Sequence, residues 1–299
     1  MPFGEVLEAM LFDQEFLQKL ERLSIISKRI FAGQMRAERR SRKRGSGLEF
    51  ADYKQYLPGD DFRALDWNAF VRLDKLLLRL YEEEEDLPIY FLIDSSRSMT
   101  IGTPPKFDYA RLLVAALSYI SLAHLDRVSL IPFSNNLDGD LPRVRGKNQI
   151  HRMLKYLEAI EPKGLTDLRQ VAKSFLSGSH RRGLVVVLSD FFDDHGYEDG
   201  LSMISSQRHE VFVLQICDST EAHPPLMGEL RLIDAESGEM REITLTPNLL
   251  RAYEQTYKTF CERLEKFCMQ RQIGILRVDT SQNIEDLILN VFRKGRFVA

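Results

Sequence analysis

The sequence predicts a doubly wound α/β fold with a mostly parallel sheet, preceded by an N-terminal helix and a small β-rich segment. Three observations carry this prediction. From residue 88 onward, short runs of β-branched and aliphatic residues alternate with helical patterns. These runs are nearly continuous in apolar residues, which is typical of strands that are buried on both faces. The composition is also that of a globular chain, with 44% hydrophobic and 28% charged residues among 299.

Residues 1–44 predict an amphipathic helix followed by a basic arm. Apolar residues recur at helical spacing between positions 6 and 31, and six arginines and lysines follow between positions 36 and 44. We expect the helix to pack on the domain or on a partner. Nucleic acid is not the expected partner, because no aromatic residues interleave with the basic run and the formal net charge is −3.

Residues 45–87 predict a small β-rich segment. The stretch is rich in aromatic residues, and Pro58-Gly59 marks a turn. Its last part, residues 76–84, predicts a strand that enters an acidic linker. The charged residues after the turn are expected to pair with one another around it, with Trp67 packed beneath: Asp60, Asp61, Arg63 and Asp66. A partner-binding surface is the alternative interpretation of this cluster.

Residues 88–299 predict the main domain. The predicted strands are residues 89–94, 127–133, 183–190, 210–217 and 273–279, with a short edge strand at 141–144. The predicted helices are residues 105–124, 148–160, 167–178, 198–208, 247–271 and 283–293. One interruption, residues 228–245, has two alternating arms around a glycine turn and predicts an inserted β-hairpin.

Oxygen-bearing side chains follow the carboxyl ends of these strands, where ligands gather in an open α/β sheet. Asp94, Ser96 and Ser98 follow the first strand, Asp190 ends the strand at 183–190, and Thr166 lies in a loop between them. Such hard ligands suit a divalent metal ion, and we expect Mg²⁺ in preference to Mn²⁺ or Ca²⁺. Because the hydroxyl ligands are neutral, the ion would keep enough charge to attract one more carboxylate. The alternative is a set of capping and turn residues without a metal.

The five side chains resemble the metal-ion-dependent adhesion site of von Willebrand factor A domains, in the family's order. The upstream stretch from Tyr56 to Trp67, with Pro58-Gly59-Asp60-Asp61 at its centre, is similar to the domain of unknown function 58 family. That similarity covers about residues 45–295. It implies a von Willebrand factor A-like domain whose partner is a MoxR-type AAA+ ATPase or its client, because the genes of this family usually neighbour such ATPases.

The chain departs from that family in two ways. Many members carry transmembrane helices ahead of this segment, whereas no apolar stretch here is long enough to span a bilayer. Lys163 also stands where a second loop glycine is common. The three cysteines form no CxxC pair and predict buried thiols in a reduced compartment. We therefore expect a cytoplasmic protein without a membrane span.

Two functions fit the sequence. The first is a metal-dependent protein–protein interaction module, an adaptor or co-chaperone whose metal shell is completed by an acidic side chain of the partner. The alternative is a metal-dependent, phosphatase-like hydrolase that uses Asp94 as phosphoryl acceptor. Aspartyl phosphatases of the haloacid dehalogenase type need a second aspartate where this chain has Ser96, no motif places a lysine at the site, and no P-loop occurs. We therefore predict a binding protein and not an enzyme.

Overall fold

The computed structural model describes residues 12, 16–23, 44–45, 49–58, 60–82, 88–178, 180–207, 209–234 and 238–293. The chain forms two compact units, one of Met1–Ser27 with Leu87–Phe297 and the other of Lys28–Asp86 with Val298–Ala299. Most of the predicted basic arm, the acidic linker and part of the hairpin turn lie outside the described residues.

The larger unit contains a six-stranded sheet. Its strands are β4 (Pro88–Asp94), β5 (Arg127–Phe133), β6 (Leu141–Arg145), β7 (Leu184–Ser189), β8 (Glu210–Cys217) and β11 (Gly274–Asp279). They lie in the order β11-β8-β7-β4-β5-β6, and only β6 is antiparallel to its neighbour. The predicted mostly parallel sheet is confirmed. Its apolar strands reflect burial on both faces, since every residue of β4 is buried.

Helices cover both faces of this sheet. The described helices of the larger unit are α1 (residues 16–23), α3 (Lys106–Ala123), α4 (Ile150–Glu158), α5 (Leu168–Ser177), α6 (Glu198–Ser206), α7 (Ser219–Ala222), α8 (Pro247–Gln270) and α9 (Ile284–Arg293). Tyr90 and Leu92 of β4 pack in one core cluster with apolar residues of α5, α6 and α8, whereas α3 contacts β4, β5 and β8. None of the described helices is long and apolar enough to cross a membrane.

Two additions extend this core. In α1, Leu20 is fully buried and Leu23 is nearly so, and Glu21 pairs with Lys147 at 3.2 Å. The predicted hairpin is formed by β9 (Gly228–Ile233) and β10 (Met240–Leu245), paired from Met240 with Ile233 to Leu245 with Gly228. None of the hairpin strand residues is buried.

The smaller unit holds a three-stranded antiparallel sheet of β1 (Arg44–Gly45), β2 (Glu49–Gln55) and β3 (Leu77–Glu82), with β3 in the middle. A helix, α2 (Trp67–Leu73), lies between β2 and β3 in the chain. The expected pairing within the charged cluster is wrong. Asp60 pairs with Lys54 at 2.8 Å and Asp66 with Arg79 at 2.7 Å, because the strands bring these basic residues closer than the turn does. Trp67 is 62% exposed and not packed beneath the cluster.

Candidate metal centre

The candidate site lies at the carboxyl end of β4, where the connections of the sheet change direction. From β4 the chain runs through α3 to β5 on one side, and it later returns to β7 on the other side. Loops that leave neighbouring strands in opposite directions open a crevice at this point, which is where open α/β sheets bind ligands. The structure brings all five predicted residues into this region, and each is at most 8% exposed: Asp94, Ser96, Ser98, Thr166 and Asp190.

Asp94 is the centre of the hydrogen-bond network. Its Oδ1 accepts a hydrogen bond from the backbone N–H of Ser96 at 2.9 Å. Its Oδ2 accepts from Ser189 Oγ at 2.5 Å and from Thr166 Oγ1 at 3.4 Å. Three separate chain segments therefore meet at one carboxylate. Ser189 was not among the predicted site residues, although it lies directly before Asp190 at the end of β7.

In the part of the chain that the structure describes, Asp94 has no basic partner. It is fully buried, and none of the ion pairs among the described residues involves it. Burial, reinforced by the negative charge of Asp190, raises the pKa of Asp94 to about 7, although hydrogen bonds from Ser189 and Ser96 oppose this shift. A buried carboxylate without a cation is costly, and its position next to a second carboxylate makes the site attractive to a positive ion.

Ser96 and Ser98 lie side by side in the loop after β4. Their Oγ atoms are 3.0 Å apart and share a hydrogen bond. The backbone of this loop turns into a 3-10 helix at Arg97–Thr100, so that the two-residue spacing places both hydroxyls together. Hydroxyl groups can rotate. If the hydrogen bond between the two side chains is broken, the lone pairs of both oxygens can therefore be directed at a metal ion.

The loop that carries Thr166 is fastened to the loop after β4. The backbone N–H of Lys163 donates to Ser95 O at 2.7 Å, and Arg97 N donates to Gly164 O at 3.2 Å. Gly164 has a φ of 77°, and a Cβ there would come within 3.1 Å of Ser134 Oγ. Lys163, in place of the second glycine, uses its backbone for this contact while its side chain is 64% exposed. With lysine at position 163, Thr166 lies beside Asp94.

Asp190 is held by a lysine that the sequence analysis did not place. Lys106 Nζ donates to Asp190 Oδ2 at 2.7 Å and also contacts Glu221 Oε1. The other oxygen of Asp190 accepts from the backbone N–H of Phe192 at 3.0 Å. Burial alone would lower the pKa of Lys106, but the charges of Asp190 and Glu221 outweigh that effect and raise it above its usual value. The ammonium is therefore charged at neutral pH.

One sequence signal could have pointed to Lys106. It is the first residue of α3, directly after Pro104-Pro105. The positive end of the helix dipole disfavours a cation there, and a lysine is almost never fully buried without a partner. A lysine that begins a mostly apolar helix shortly after the DxSxS loop therefore suggests carboxylate partners. These partners, Asp190 and Glu221, lie 84 and 115 positions further along the chain, so the local sequence does not identify them.

The residues present fit a divalent metal ion. Two carboxylates and three hydroxyls form a hard oxygen donor set, and the unbalanced charge of Asp94 supplies the attraction. Among the described residues, no group of three or more His, Cys, Asp or Glu side chains could hold a metal, so a zinc-type ligand set does not occur there. An ion would be held by Asp94, Ser96, Ser98, Thr166 and Asp190, and its charge would polarise an oxygen ligand from another molecule.

The doubly wound sheet, with the DxSxS loop, a threonine loop and an aspartate at one switch point, defines a von Willebrand factor A-like domain. The sequence matches the profile of the family described as protein of unknown function DUF58 over residues 52–262. The chain belongs to this family.

Among its relatives, the uncharacterized protein Rv1480 of Mycobacterium tuberculosis is 29% identical over 210 residues. That match covers 69% of this chain and 66% of the relative, so the chain spans just under two thirds of the relative's length. Similar solved structures include BatB from Bacteroides thetaiotaomicron, with a TM-score of 0.41, 16% identity and coverage of 70% of this chain and 99% of that chain. The SpRpn10 VWA domain has a TM-score of 0.41, 10% identity and coverage of 69% and 94%. No functional argument rests on these two structures.

Proposed function

We propose that this protein is a divalent-metal-dependent protein-interaction module. One observation carries the proposal: Asp94 is a fully buried carboxylate without a basic partner among the described residues, and it is surrounded by hydroxyl oxygens and a second carboxylate. Such an arrangement is stabilised by a cation. The proposed ligands are Asp94, Ser96, Ser98, Thr166 and Asp190, and the proposed ion is Mg²⁺, with Mn²⁺ or Ca²⁺ as substitutes.

The proposed role of the ion is to bridge to an acidic side chain of another protein. Ligands that are mostly neutral hydroxyls leave the ion with much of its charge, and Mg²⁺ commonly keeps exchangeable waters. A glutamate or aspartate that replaces one of these waters loses hydration, but the ion compensates its charge. The family resemblance supports a MoxR-type AAA+ ATPase or its client as the partner, with this protein as adaptor or co-chaperone in the cytoplasm.

Calorimetry with Mg²⁺ tests the ion site first. The wild-type protein should bind Mg²⁺ with modest affinity, whereas Asp94→Ala should abolish binding without changing the circular dichroism spectrum. Thr166→Ala should weaken binding less severely, since it removes a neutral ligand. Undiminished Mg²⁺ affinity in Asp94→Ala would reject this site.

A pull-down with the candidate ATPase tests the bridge. Retention should fall in EDTA, return when Mg²⁺ is added, and be absent for Asp94→Ala. The matching change on the ATPase is a glutamate-to-glutamine substitution at the contact, which should have the same effect. Equal retention with and without EDTA would show that partner binding uses another surface of this protein.

The hydrolase alternative gains one observation from the structure, since Lys106 lies beside Asp190. Lysine can stabilise phosphate charge, but this ammonium is held by Asp190 and Glu221, and its side chain is only 1% exposed. The ammonium is therefore already paired, and it is not exposed to an incoming phosphate. Hydrolysis of p-nitrophenyl phosphate that depends on both Mg²⁺ and Asp94 would favour the hydrolase over the binding module.

A further inference from the structure

Lys106 forms ion pairs with Asp190 and Glu221, although the proposed set of metal ligands does not need a lysine. We propose that Lys106 is an internal cation that holds Asp190 when the metal is absent and lowers the affinity of the site for a divalent ion, with Glu221 opposing this effect. The inference rests on the proposed function, because it concerns the affinity of the same metal site. It assigns a role to Lys106 and Glu221, neither of which belongs to the proposed ligand set.

The first argument is the position of Lys106. Its ammonium is 2.7 Å from Asp190 Oδ2, one of the two oxygens through which Asp190 would hold an ion. The other oxygen, Oδ1, is already engaged by the N–H of Phe192 at 3.0 Å. Both oxygens of Asp190 therefore have a hydrogen-bond donor before any ion arrives. An ion that takes up Asp190 must share it with the ammonium or displace the ammonium toward Glu221.

The second argument is the local charge. Asp190 and Glu221 share one ammonium, and Asp94 interacts electrostatically with Asp190. These four groups together carry a formal charge of −3 + 1 = −2 when all are ionised. One divalent ion would neutralise it. Without Lys106 the charge would be −3 and the ion would be held more tightly; without Glu221 it would be −1 and the ion would be held more weakly.

The third argument is the cost of placing a lysine there. Lys106 is 0% exposed and begins a helix, where the dipole opposes a cation. Its Nζ lies 5.5 Å from the ring centroid of Phe192, which adds a cation–π contact. A buried ion pair contributes little to stability compared with apolar residues of similar volume. Control of the charge at the neighbouring site gives a reason for the pair that stability alone does not.

The test is calorimetric titration of Mg²⁺, at one fixed pH, into the wild-type protein, Lys106→Met and Glu221→Gln. Methionine is similar to lysine in length and in its apolar stem, but it lacks the charged ammonium and its N–H donors. We expect Lys106→Met to bind Mg²⁺ at least about tenfold more tightly and Glu221→Gln at least about threefold more weakly. The control Lys173→Met removes an exposed lysine of α5 and should leave the affinity unchanged.

A second measurement separates this role from a purely structural ion pair. In EDTA, Lys106→Met should melt at a lower temperature than the wild-type protein, because Asp190 and Glu221 have lost their cation. Mg²⁺ should then raise the melting temperature of Lys106→Met more than that of the wild type. If the ion pair has only a structural role, Lys106→Met and Glu221→Gln should both melt at a lower temperature than the wild type. In neither variant should Mg²⁺ then raise the melting temperature more than it does in the wild type.

The outcomes distinguish the two proposals. If the wild-type protein binds Mg²⁺ but Lys106→Met binds it equally or more weakly, the role of Lys106 is wrong and the metal site stands. If neither protein binds Mg²⁺, both proposals fail. If Lys106→Met binds Mg²⁺ and the wild-type protein does not, the result would support the proposal that Lys106 lowers the affinity of the site. If Lys106→Met does not fold, Lys106→Gln replaces it, and an unchanged or tighter affinity in Glu221→Gln would still overturn the proposal.

Discussion

At the scale of single residues, Asp94 carries the main chemical consequence of the fold. Its carboxylate ends the central strand and is fully buried, and among the described residues its hydrogen-bond donors are hydroxyl and amide groups. Hydrogen bonds reduce the cost of burying a charge but do not remove it, which is why burial raises the pKa of Asp94 to about 7. A residue of this kind lowers the stability of the metal-free protein, which supports the proposal that the site holds a cation.

This reasoning predicts opposite effects for Asp94→Asn on stability and on ion binding. Asparagine can accept from the N–H of Ser96 and donate to the hydroxyl oxygens of Ser189 and Thr166, because hydroxyl groups can rotate. Without Mg²⁺, the variant should therefore be as stable as the wild type or more stable by about 1–3 kcal/mol. With Mg²⁺, only the wild type should gain stability. Urea unfolding in EDTA and in Mg²⁺ measures both effects.

Ser189→Ala is the matched control for that experiment. It removes the 2.5 Å hydrogen bond to Asp94 but keeps the carboxylate. Metal-free stability should fall by about 1–3 kcal/mol, since a buried acceptor loses its donor, and Mg²⁺ should still stabilise the variant. A large loss of stability in Asp94→Asn in EDTA would contradict the interpretation of Asp94 as an unbalanced charge.

At the scale of elements, Asp66 organises the small β-rich unit. Its side chain caps α2 through the N–H groups of Asn68 and Ala69, and it accepts from Tyr53 of β2 and Arg79 of β3. The hydrogen bond from Arg79, followed by that from Tyr53, holds the pKa of Asp66 well below its usual value. One carboxylate thus joins the helix to both strands, and its charge is part of the connection.

The sign of the pH dependence follows from this depressed pKa. A carboxyl group whose pKa is lower in the folded state stabilises that state above its unfolded pKa of 3.8, and the contribution is lost as the pH falls below that value. The urea midpoint of the wild type should therefore exceed that of Asp66→Asn above about pH 4 and approach it below. Fluorescence of Trp67, the single tryptophan, reports unfolding of this unit.

The control for this prediction is Asp74→Asn at the end of α2. Asp74 has a φ of 50°, a conformation that asparagine also adopts, and its side chain is exposed. The substitution should leave the pH dependence of the urea midpoint unchanged. A constant difference between the wild type and Asp66→Asn across the acid range would show that capping, and not charge, accounts for the role of Asp66.

The hairpin β9–β10 gives a second prediction at this scale. Its strands contain no buried residue, and its first and last residues, Gly228 and Leu245, are paired partners. Their Cα atoms are therefore about 5 Å apart. Replacement of residues 228–245 by a Gly-Ser linker should change the melting temperature by less than about 2 °C and leave Mg²⁺ affinity intact. A loss of more than about 5 °C would show that the hairpin contributes to the core.

At the scale of the whole molecule, the N-terminal helix belongs to the larger unit. Met1–Ser27 cluster with Leu87–Phe297, and Leu20 of α1 is fully buried. Leu20→Ala should therefore lower the free energy of unfolding by about 2–5 kcal/mol, because it leaves a cavity. Gln18→Ala, on the exposed side of the same helix, should change it by less than about 0.5 kcal/mol. Equal stability of the two variants would show that α1 is dispensable for the domain.

Much of the larger unit could be predicted from the sequence, because its strands are short apolar runs and its helices have clear periodicity. The helix predicted at residues 105–124 occupies Lys106–Ala123, and the strand predicted at 127–133 is Arg127–Phe133. The smaller unit was less predictable. Helix α2 within the β-rich segment and the pairing of Asp60 and Asp66 with basic residues of the strands follow from contacts across β2 and β3.

The sequence by itself determined the alternation of strands and helices, the DxSxS loop and the order of the five oxygen-bearing residues, because these depend on local periodicity and spacing. Only the tertiary structure decided that Asp94 is buried with no basic partner among the described residues, while Asp190 is paired with Lys106. The physical reason is that burial and charge pairing depend on which segments meet in space. Lys106 begins α3, Asp190 follows β7 and Glu221 lies in α7, and the arrangement of the sheet brings them together at one edge.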